Sequence, residues 1–572
     1  MRKTTKTEDN AMQHNTHITP KGSCRLLAAG FALLMSLPFL VPRTGVLALA
    51  AFVPLFCMDK ILRERQIRHA FWYYYGAFLL FNVATTFWIW FVSGPGAVAA
   101  ILLNALQMAA IFALYRWAGR VLRSRDTAFT KGRPAVVELT ALLFFAAGWI
   151  AWEHIYFQIE LSWPWLCLGN AFARSTRLVQ WYEIFGAVGG SAWILLCNIL
   201  IFLTLTTPKG RSRRGWAMAA AVTAAVPMLC SVIRYASYRE SDDPVEVVVL
   251  QPNVDPFHKF GAGSSQNTLD ERLVAQMERT VTPQTRYFIT PETFTYDIDI
   301  DHPENSRSYA RYQAFLAAHP GTTLLLGALT WREFQAAAKP TRSARPRGNG
   351  QWVDVYNTAL TMDGTRSLGH YFKSKLVPGV EIIPYENAFK FLGPVIEHFG
   401  GSDSSYGTQD EMDALPGADG RKVGAMICYE SVYGDWSRIA AKKGASFLAV
   451  ITNDGWWGDT PGYRQHFHFA RLRAIENRRD VVQAANTGIS GFIDQRGDVQ
   501  QKSGWWVETA LRGTVNGNDR LTPFVRTGDK TGRIAGWVFL GMLALLTVRR
   551  LLPRSSASDK RSGRDRSVRG NV

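Results

Sequence analysis

Of the six cysteines in this chain, five (Cys24, Cys57, Cys167, Cys197, Cys230) lie in or beside long apolar stretches, which leaves Cys428 alone in the polar half. That scarcity excludes a disulfide framework there, since a lone thiol is either buried and inert or kept for its reactivity. Zinc-ligand spacing is also missing. His466 and His468 are two apart, so on a helix they face different directions, and no further ligands are spaced to join them. There is no internal repeat and no low-complexity tract beyond the basic tails. Acids are short against bases, 46 to 64, giving a net charge of +18.

Eight stretches are apolar enough to cross roughly 30 Å of hydrocarbon. They are about 23–41, 44–58, 70–92, 97–115, 135–153, 183–206, 215–233 and 531–550. Ala48-Leu49-Ala50 has the small-residue form of a signal-peptide cleavage site but lies inside the second stretch, and more spans follow. Cations gather before the first span and after the second, fourth, sixth and eighth, whereas the SGPG connection after the third carries none. This alternation predicts cytoplasmic termini and an outward-facing segment 244–530. These clusters hold 27 of the 64 Lys and Arg with only seven acids, so the remainder of the chain is near neutral. The basicity therefore reports topology, and no nucleic-acid partner is expected. Ionisable residues are rare within the spans (Glu138 sits near one end), which argues against a transporter with an appended binding domain.

The polar half alternates strand and helix patterns. Strands are expected at Val245–Asn253, Tyr287–Ile289, Thr322–Thr330, around the Asp363–Gly364 turn, before Cys428 and at Ala445–Asp454. Helices are expected at 268–281, 307–318 and 463–479, with a hairpin turning at Arg496–Gly497 and a polar loop at 335–350. The pattern predicts an α/β domain of sheet covered by helices. Glu292, Lys373 and Cys428 each fall just past a strand end, where loops on a rigid scaffold carry function. A carboxylate in a dry site can serve as base, a cysteine as nucleophile and a lysine as oxyanion stabiliser, so the three together suit acyl transfer.

TPETF around Glu292, YFKSKLVPGVE around Lys373 and ICYES around Cys428 resemble the three signatures of the nitrilase (carbon–nitrogen hydrolase) superfamily. With SWPWLCLGN, VVLQPN, YNTALTMDG, TNDGWWGD and AANTGISGFID, residues 23–550 resemble its membrane-bound family of bacterial apolipoprotein N-acyltransferases. The resemblance implies an αββα sandwich on eight transmembrane helices. The domains would be a basic tail (1–22), seven spans (23–240), a periplasmic catalytic domain (244–515), an eighth span (531–550) and a second basic tail (551–572), in a bacterial inner membrane. It also implies Glu292 as general base, Lys373 and the Tyr429 N–H as oxyanion donors, Cys428 as nucleophile, and Glu381 and Glu430 as supporting carboxylates. The reaction would need no metal or cofactor. A phospholipid would give its sn-1 acyl chain through a Cys428 thioester to a diacylglyceryl apolipoprotein. The same triad would also suit a membrane-tethered amidase acting on a small amide.

Several positions depart from the family pattern. Lys375 stands where histidine is usual, with Gly-Val for Phe-Gly after the proline, and Phe260 follows Lys259 where tryptophan is common. The apolar stretch Ile382–Gly400 suggests either a core helix or a flap at the membrane surface.

Overall fold

The computed structural model describes residues 19–124, 133–257, 265–385 and 405–551. Most of both basic tails, Lys259 and Phe260, and all but the first four residues of the 382–400 stretch lie outside them.

Among the described residues, seven helices are long and apolar enough to cross a membrane. They are α1 (Pro20–Leu40), α2 (Gly45–Glu64), α4 (Gly94–Arg123), α5 (Pro134–Tyr156), α6 (Tyr182–Thr206), α7 (Arg211–Ser237) and α13 (Lys530–Leu551). The stretch expected as the third span is α3 (Ala70–Thr86) prolonged by a 3-10 turn, Phe87–Phe91. At about 1.5 Å per residue its α-helical part reaches about 26 Å, and the tighter turn adds the remaining length. The second helix runs past its expected end at residue 58 because its charges are paired. Arg63 and Arg116 meet Asp59 at 2.8 and 3.0 Å, and Arg63 also meets Glu138 of α5 at 2.9 Å. Some cations of the basic clusters thus also bind helices to one another.

The polar half forms two stacked sheets. Strands β1 (Pro244–Gln251), β2 (Thr285–Ile289), β3 (Thr295–Asp299), β4 (Thr323–Gln335), β5 (Arg345–Gly348), β6 (Gln351–Met362), β7 (Ser367–Phe372) and β14 (Thr509–Asn516) make the first. Strands β8 (Leu415–Pro416), β9 (Lys422–Ile427), β10 (Phe447–Thr452), β11 (Val481–Ala485), β12 (Gly491–Ile493) and β13 (Val499–Lys502) make the second. In β1, Val245, Val247 and Val249 pack with Ile427, Phe447 and Val450 between the sheets. Val248 and Leu250 turn the other way, onto Leu269 and Leu273 of α8 (Gln266–Thr280) and Tyr312 and Phe315 of α9 (Arg307–Ala317). This period-two alternation buries both faces of the strand.

Helices α10 (Gly434–Lys442) and α11 (Pro461–Asn477) cover the second sheet. Phe467, Ala470 and Ala474 of α11 join the sheet core, while Phe469, Leu472 and Ile475 join the core of the membrane helices. A helix buried on both sides has no polar stripe, and α11 is the seam between the two halves. The expected loop at 335–350 is shorter than its composition suggested: β4 runs to Gln335, and β5 returns antiparallel beside β6. Strand β14 lies outside the expected strands. It pairs antiparallel with β1 along all eight residues, despite a polar pattern that reads as a surface segment. A short helix, α12 (Pro523–Thr527), leads into α13.

Candidate active site

Three strand ends converge. Glu292 follows β2, Lys373 follows β7, and Cys428 ends β9 and opens a 3-10 turn, Cys428–Val432. Lys373 Nζ lies 2.9 Å from Glu292 Oε1 and 2.9 Å from Glu381 Oε1. Cys428 lies close enough to Glu292 for each to shift the ionisation of the other. All of these groups are buried: Lys373 is 1% exposed, and Glu292, Glu381 and Cys428 are no more than 8% exposed. Breaking a buried pair of this kind typically costs about 3–5 kcal/mol, because it strands a charge out of water.

The electrostatics set the resting protonation. Burial disfavours the ionised Glu292 carboxyl, but Lys373 and the Asn357 amide outweigh it and hold the carboxyl below its ordinary range. Burial also disfavours the Lys373 cation, yet Glu292 and Glu381 prevail and raise its pKa well above the usual value. The Cys428 thiol is pushed far up, first by burial and then by the Glu292 charge, with Lys373 opposing. At neutral pH the site therefore holds a thiol beside an ionised carboxylate and an ammonium. Attack by this sulfur would require proton transfer first, because no thiolate stands at rest.

Two supporting carboxylates build the frame. Glu430 is fully buried. Its Oε1 accepts from Tyr371 Oη at 2.6 Å and from the backbone N–H groups of Ser374 at 2.8 Å and Lys375 at 3.1 Å. Its other oxygen accepts from the Ile427 N–H at 2.9 Å. One side chain thus ties the end of β7 to the end of β9, across the two sheets. Glu381 returns to Lys373 through a tight turn in which the Val377 N–H donates to Glu381 Oε2 at 2.8 Å. Gly379 takes φ +78° there, a left-handed conformation that glycine adopts without strain. The Gly-Val departure therefore still closes the turn. Lys375, in the place of histidine, reaches the Phe157 carbonyl just past α5 at 3.3 Å and lies over the Trp436 ring at 4.7 Å.

Cys428 itself has φ +52°, rare for a side-chain-bearing residue, and Thr293 beside Glu292 has φ +48°. Several neighbours escaped the sequence reading. Asn357, inside β6, donates to Glu292 at 2.7 Å and Glu381 at 3.0 Å, and an amide within an apolar strand was the available signal. His466 and Asp454 lie behind the turn at Cys428, where the Thr452 hydroxyl donates to Asp454 Oδ1 at 2.6 Å. His466 faces Asp454 and the Cys428 carbonyl, whereas His468 lies beside Arg471.

The membrane half roofs the site. Tyr429 Oη donates to the Ser162 carbonyl at 2.7 Å, and Ser162 Oγ bonds Tyr433 Oη at 2.6 Å. Trp163 stacks on Tyr429 with ring centroids 5.9 Å apart, and on Trp165 at 5.4 Å. Trp165 Nε1 donates to Gln465 of α11 at 2.6 Å, and Gln465 donates to the Thr85 carbonyl of α3 at 3.1 Å. Nearby, Phe87, Trp90, Phe91, Ala97, Val98 and Ile101 line an open apolar cavity of about 330 Å³. From the same 3-10 turn, buried Trp88 meets Trp457 at 4.9 Å.

Comparison with known proteins gives two family matches. Residues 31–200 match the apolipoprotein N-acyltransferase N-terminal domain, and residues 269–519 match the carbon-nitrogen hydrolase family. The apolipoprotein N-acyltransferase of Chlorobaculum tepidum is 27% identical over 507 residues, covering 87% of this chain and 91% of that protein. That of Geobacter metallireducens is 26% identical, covering 88% of this chain and 91% of its own length. Among solved structures, Saccharomyces cerevisiae Nit3, a member of branch 10 of the nitrilase superfamily, aligns with 52% of this chain and 96% of its own at 16% identity and a TM-score of 0.34.

Proposed function

The chain belongs to the apolipoprotein N-acyltransferases of the carbon–nitrogen hydrolase superfamily, and from that membership we propose the reaction in detail: it moves an sn-1 acyl chain from a phospholipid, through a thioester on Cys428, to the free α-amine of an S-diacylglyceryl-cysteine. It is an enzyme of acyl transfer. In this reading Glu292 takes the Cys428 proton as sulfur attacks the ester carbonyl carbon. The oxyanion is met by the Lys373 ammonium and the Tyr429 N–H, two donors of the kind whose loss typically costs about 10²–10³ in rate. Collapse breaks the C–O bond, protonated Glu292 returns its proton to the glycerol oxygen, and lysophospholipid leaves. The acceptor amine then attacks the thioester and Glu292 removes its proton. The C–S bond breaks, and the proton returns to sulfur.

The observation that carries the reading is the roof over the nucleophile turn. Tyr429 is bonded to Ser162 and stacked on Trp163, both from the membrane half, so the acylating residue is built into the seam between the two halves. A site for a small water-soluble amide has no need of that seam. The apolar cavity beside Trp88 offers a place for a fatty chain, and the tryptophan-rich loop limits water, which would otherwise hydrolyse the thioester. In this reading all eight apolar stretches cross the inner membrane of a bacterium, with the catalytic domain periplasmic and both termini cytoplasmic.

Mass spectrometry of the N-terminal peptide of a lipoprotein tests the proposal. Diacylglyceryl-peptide incubated with phospholipid and the wild-type chain gains the mass of one acyl group on its α-amine. An unmodified amine, alongside turnover of a water-soluble amide, would replace the proposal with an amidase.

A further inference from the structure

Behind the nucleophile turn sits a fully buried histidine that the proposed chemistry does not use. His466 Nε2 lies 3.0 Å from the Cys428 carbonyl and 2.8 Å from Ser431 Oγ, and its Nδ1 lies 3.0 Å from Asp454 Oδ1. The partners dictate the protons. A carbonyl oxygen can only accept, so Nε2 carries a hydrogen. Asp454 Oδ1 already accepts from Thr452 Oγ1 at 2.6 Å, so the second donor to it is Nδ1–H. With hydrogens on both nitrogens the ring is an imidazolium, balanced by Asp454 and lying nearly parallel to the Trp165 ring at 5.8 Å. Burial opposes this charge, but Asp454 and the Cys428 carbonyl outweigh it, with Glu292 adding to them, and raise the histidine above its ordinary range. The titratable groups facing it are Asp454, Glu292 and Cys428, and the rings beside it are Trp165 and Trp457.

The Cys428 carbonyl therefore accepts twice, from His466 and from Ser431 Oγ at 2.8 Å. The N–H of that same peptide belongs to Tyr429, in the first turn of the 3-10 segment, where an N–H has no acceptor within its own helix. Hydrogen bonds to an amide oxygen draw density from its nitrogen and strengthen its N–H as a donor, by about 10–30% per bond. We infer that His466, held by Asp454, is a positioning residue that fixes and polarises the Cys428–Tyr429 peptide, so that the Tyr429 N–H becomes a stronger oxyanion donor. The inference rests on the reading above of Cys428 as nucleophile and Tyr429 N–H as donor. It also gives the φ +52° at Cys428 a cause, since the carbonyl is held inward by two donors.

Two reactions of the same sulfur separate this role from a merely structural one. Acylation by a p-nitrophenyl ester passes through an oxyanion, whereas alkylation by iodoacetamide does not. In the full-length chain in detergent, His466→Gln keeps one neutral N–H for the carbonyl and loses the charge. The expected result is acylation slower by about tenfold, a fraction of the full oxyanion-donor effect, with alkylation within about threefold of wild type. Ser431→Ala, a small change that leaves the ion pair, is expected to slow acylation by about threefold with alkylation unchanged. It decides the question should His466→Gln fail to fold. A parallel fall in both reactions, or no change in acylation, would overturn the inference. A wild-type chain acylated by the ester but not by phospholipid would defeat the proposed donor while leaving this inference standing.

Discussion

Glu292→Gln separates chemistry from architecture in the site. The amide oxygen of the substituted side chain can still accept from Lys373 Nζ and Asn357 Nδ2, as Glu292 Oε1 does at 2.9 and 2.7 Å. Lys373 keeps its second partner, Glu381, so no buried charge is stranded. What disappears is the group proposed to take the thiol proton. General-base catalysis typically contributes about 10²–10⁴ in rate, or about 2.7–5.4 kcal/mol of barrier at about 1.36 kcal/mol per decade. The Glu292 charge also raises the Cys428 thiol, so removing it lets that thiol titrate lower, towards what burial and Lys373 dictate. Rapid-quench mass spectrometry of acyl-Cys428, with labelled phospholipid from pH 5 to 9, reads both effects. Wild type should be nearly flat through neutrality, because its carboxyl is ionised well below that range. The variant should be about 10²–10⁴-fold slower at pH 7 and gain up to about tenfold per pH unit as thiolate forms. Wild-type rates, or a flat variant profile, would refute Glu292 as base. A linked stability effect has a defined sign: a depressed carboxyl adds stability above its ordinary value of 4.5 that is lost as pH falls further. Wild type should therefore lose more stability than the variant below pH 4.5.

Three further tests address other parts of the account. Asp480 is pushed up to about 8 by burial, so the folded chain holds a proton that the unfolded chain releases above about 3.8. Stability should decline as pH rises between those values, by up to about 1.4 kcal/mol per unit, and Asp480→Asn should raise the melting temperature far more at pH 9 than at pH 5. Gly488 leaves room for Asp454, whose Oδ2 would lie 2.7 Å from a Cβ at that position. Gly488→Val should displace Asp454 and lower acylation of Cys428 at least tenfold, while far-ultraviolet circular dichroism stays unchanged. For topology, Ser265→Cys in a Cys428→Ala background should react with an impermeant thiol reagent in intact spheroplasts, and labelling only after lysis would reverse the proposed orientation.

The parts of this molecule legible in its sequence are those with short-range physical signatures. The strand before Cys428 is an unbroken apolar run, and the predicted helices at 268–281 and 307–318 correspond to α8 and α9 within two residues. Glu292, Lys373 and Cys428 stand out because charged or nucleophilic residues follow apolar strands. The rest depends on distant partners. Strand β14 is polar because only its pairing with β1, more than 250 residues earlier, makes it a strand. His466 reads as one of two histidines on a helix until the fold places Asp454 and the Cys428 carbonyl on either side of its ring. Glu430 could have been a solvated turn acid; its four donors come from β7, the loop after it and β9. The third apolar stretch shows the same limit at the level of helices, since nothing local announces the change from α to 3-10 geometry at Phe87.

The central claim is that Cys428 carries the acyl group between two substrates. Intact-protein and peptide mass spectrometry of the chain incubated with a phospholipid isotopically labelled in its sn-1 chain tests it most directly. The account predicts one labelled acyl group, labile to hydroxylamine, on the peptide containing Cys428, and its disappearance in step with N-acylation when a diacylglyceryl-cysteinyl peptide is added. An acceptor peptide acylated at full rate by Cys428→Ala, or a label found only as free fatty acid, would contradict it.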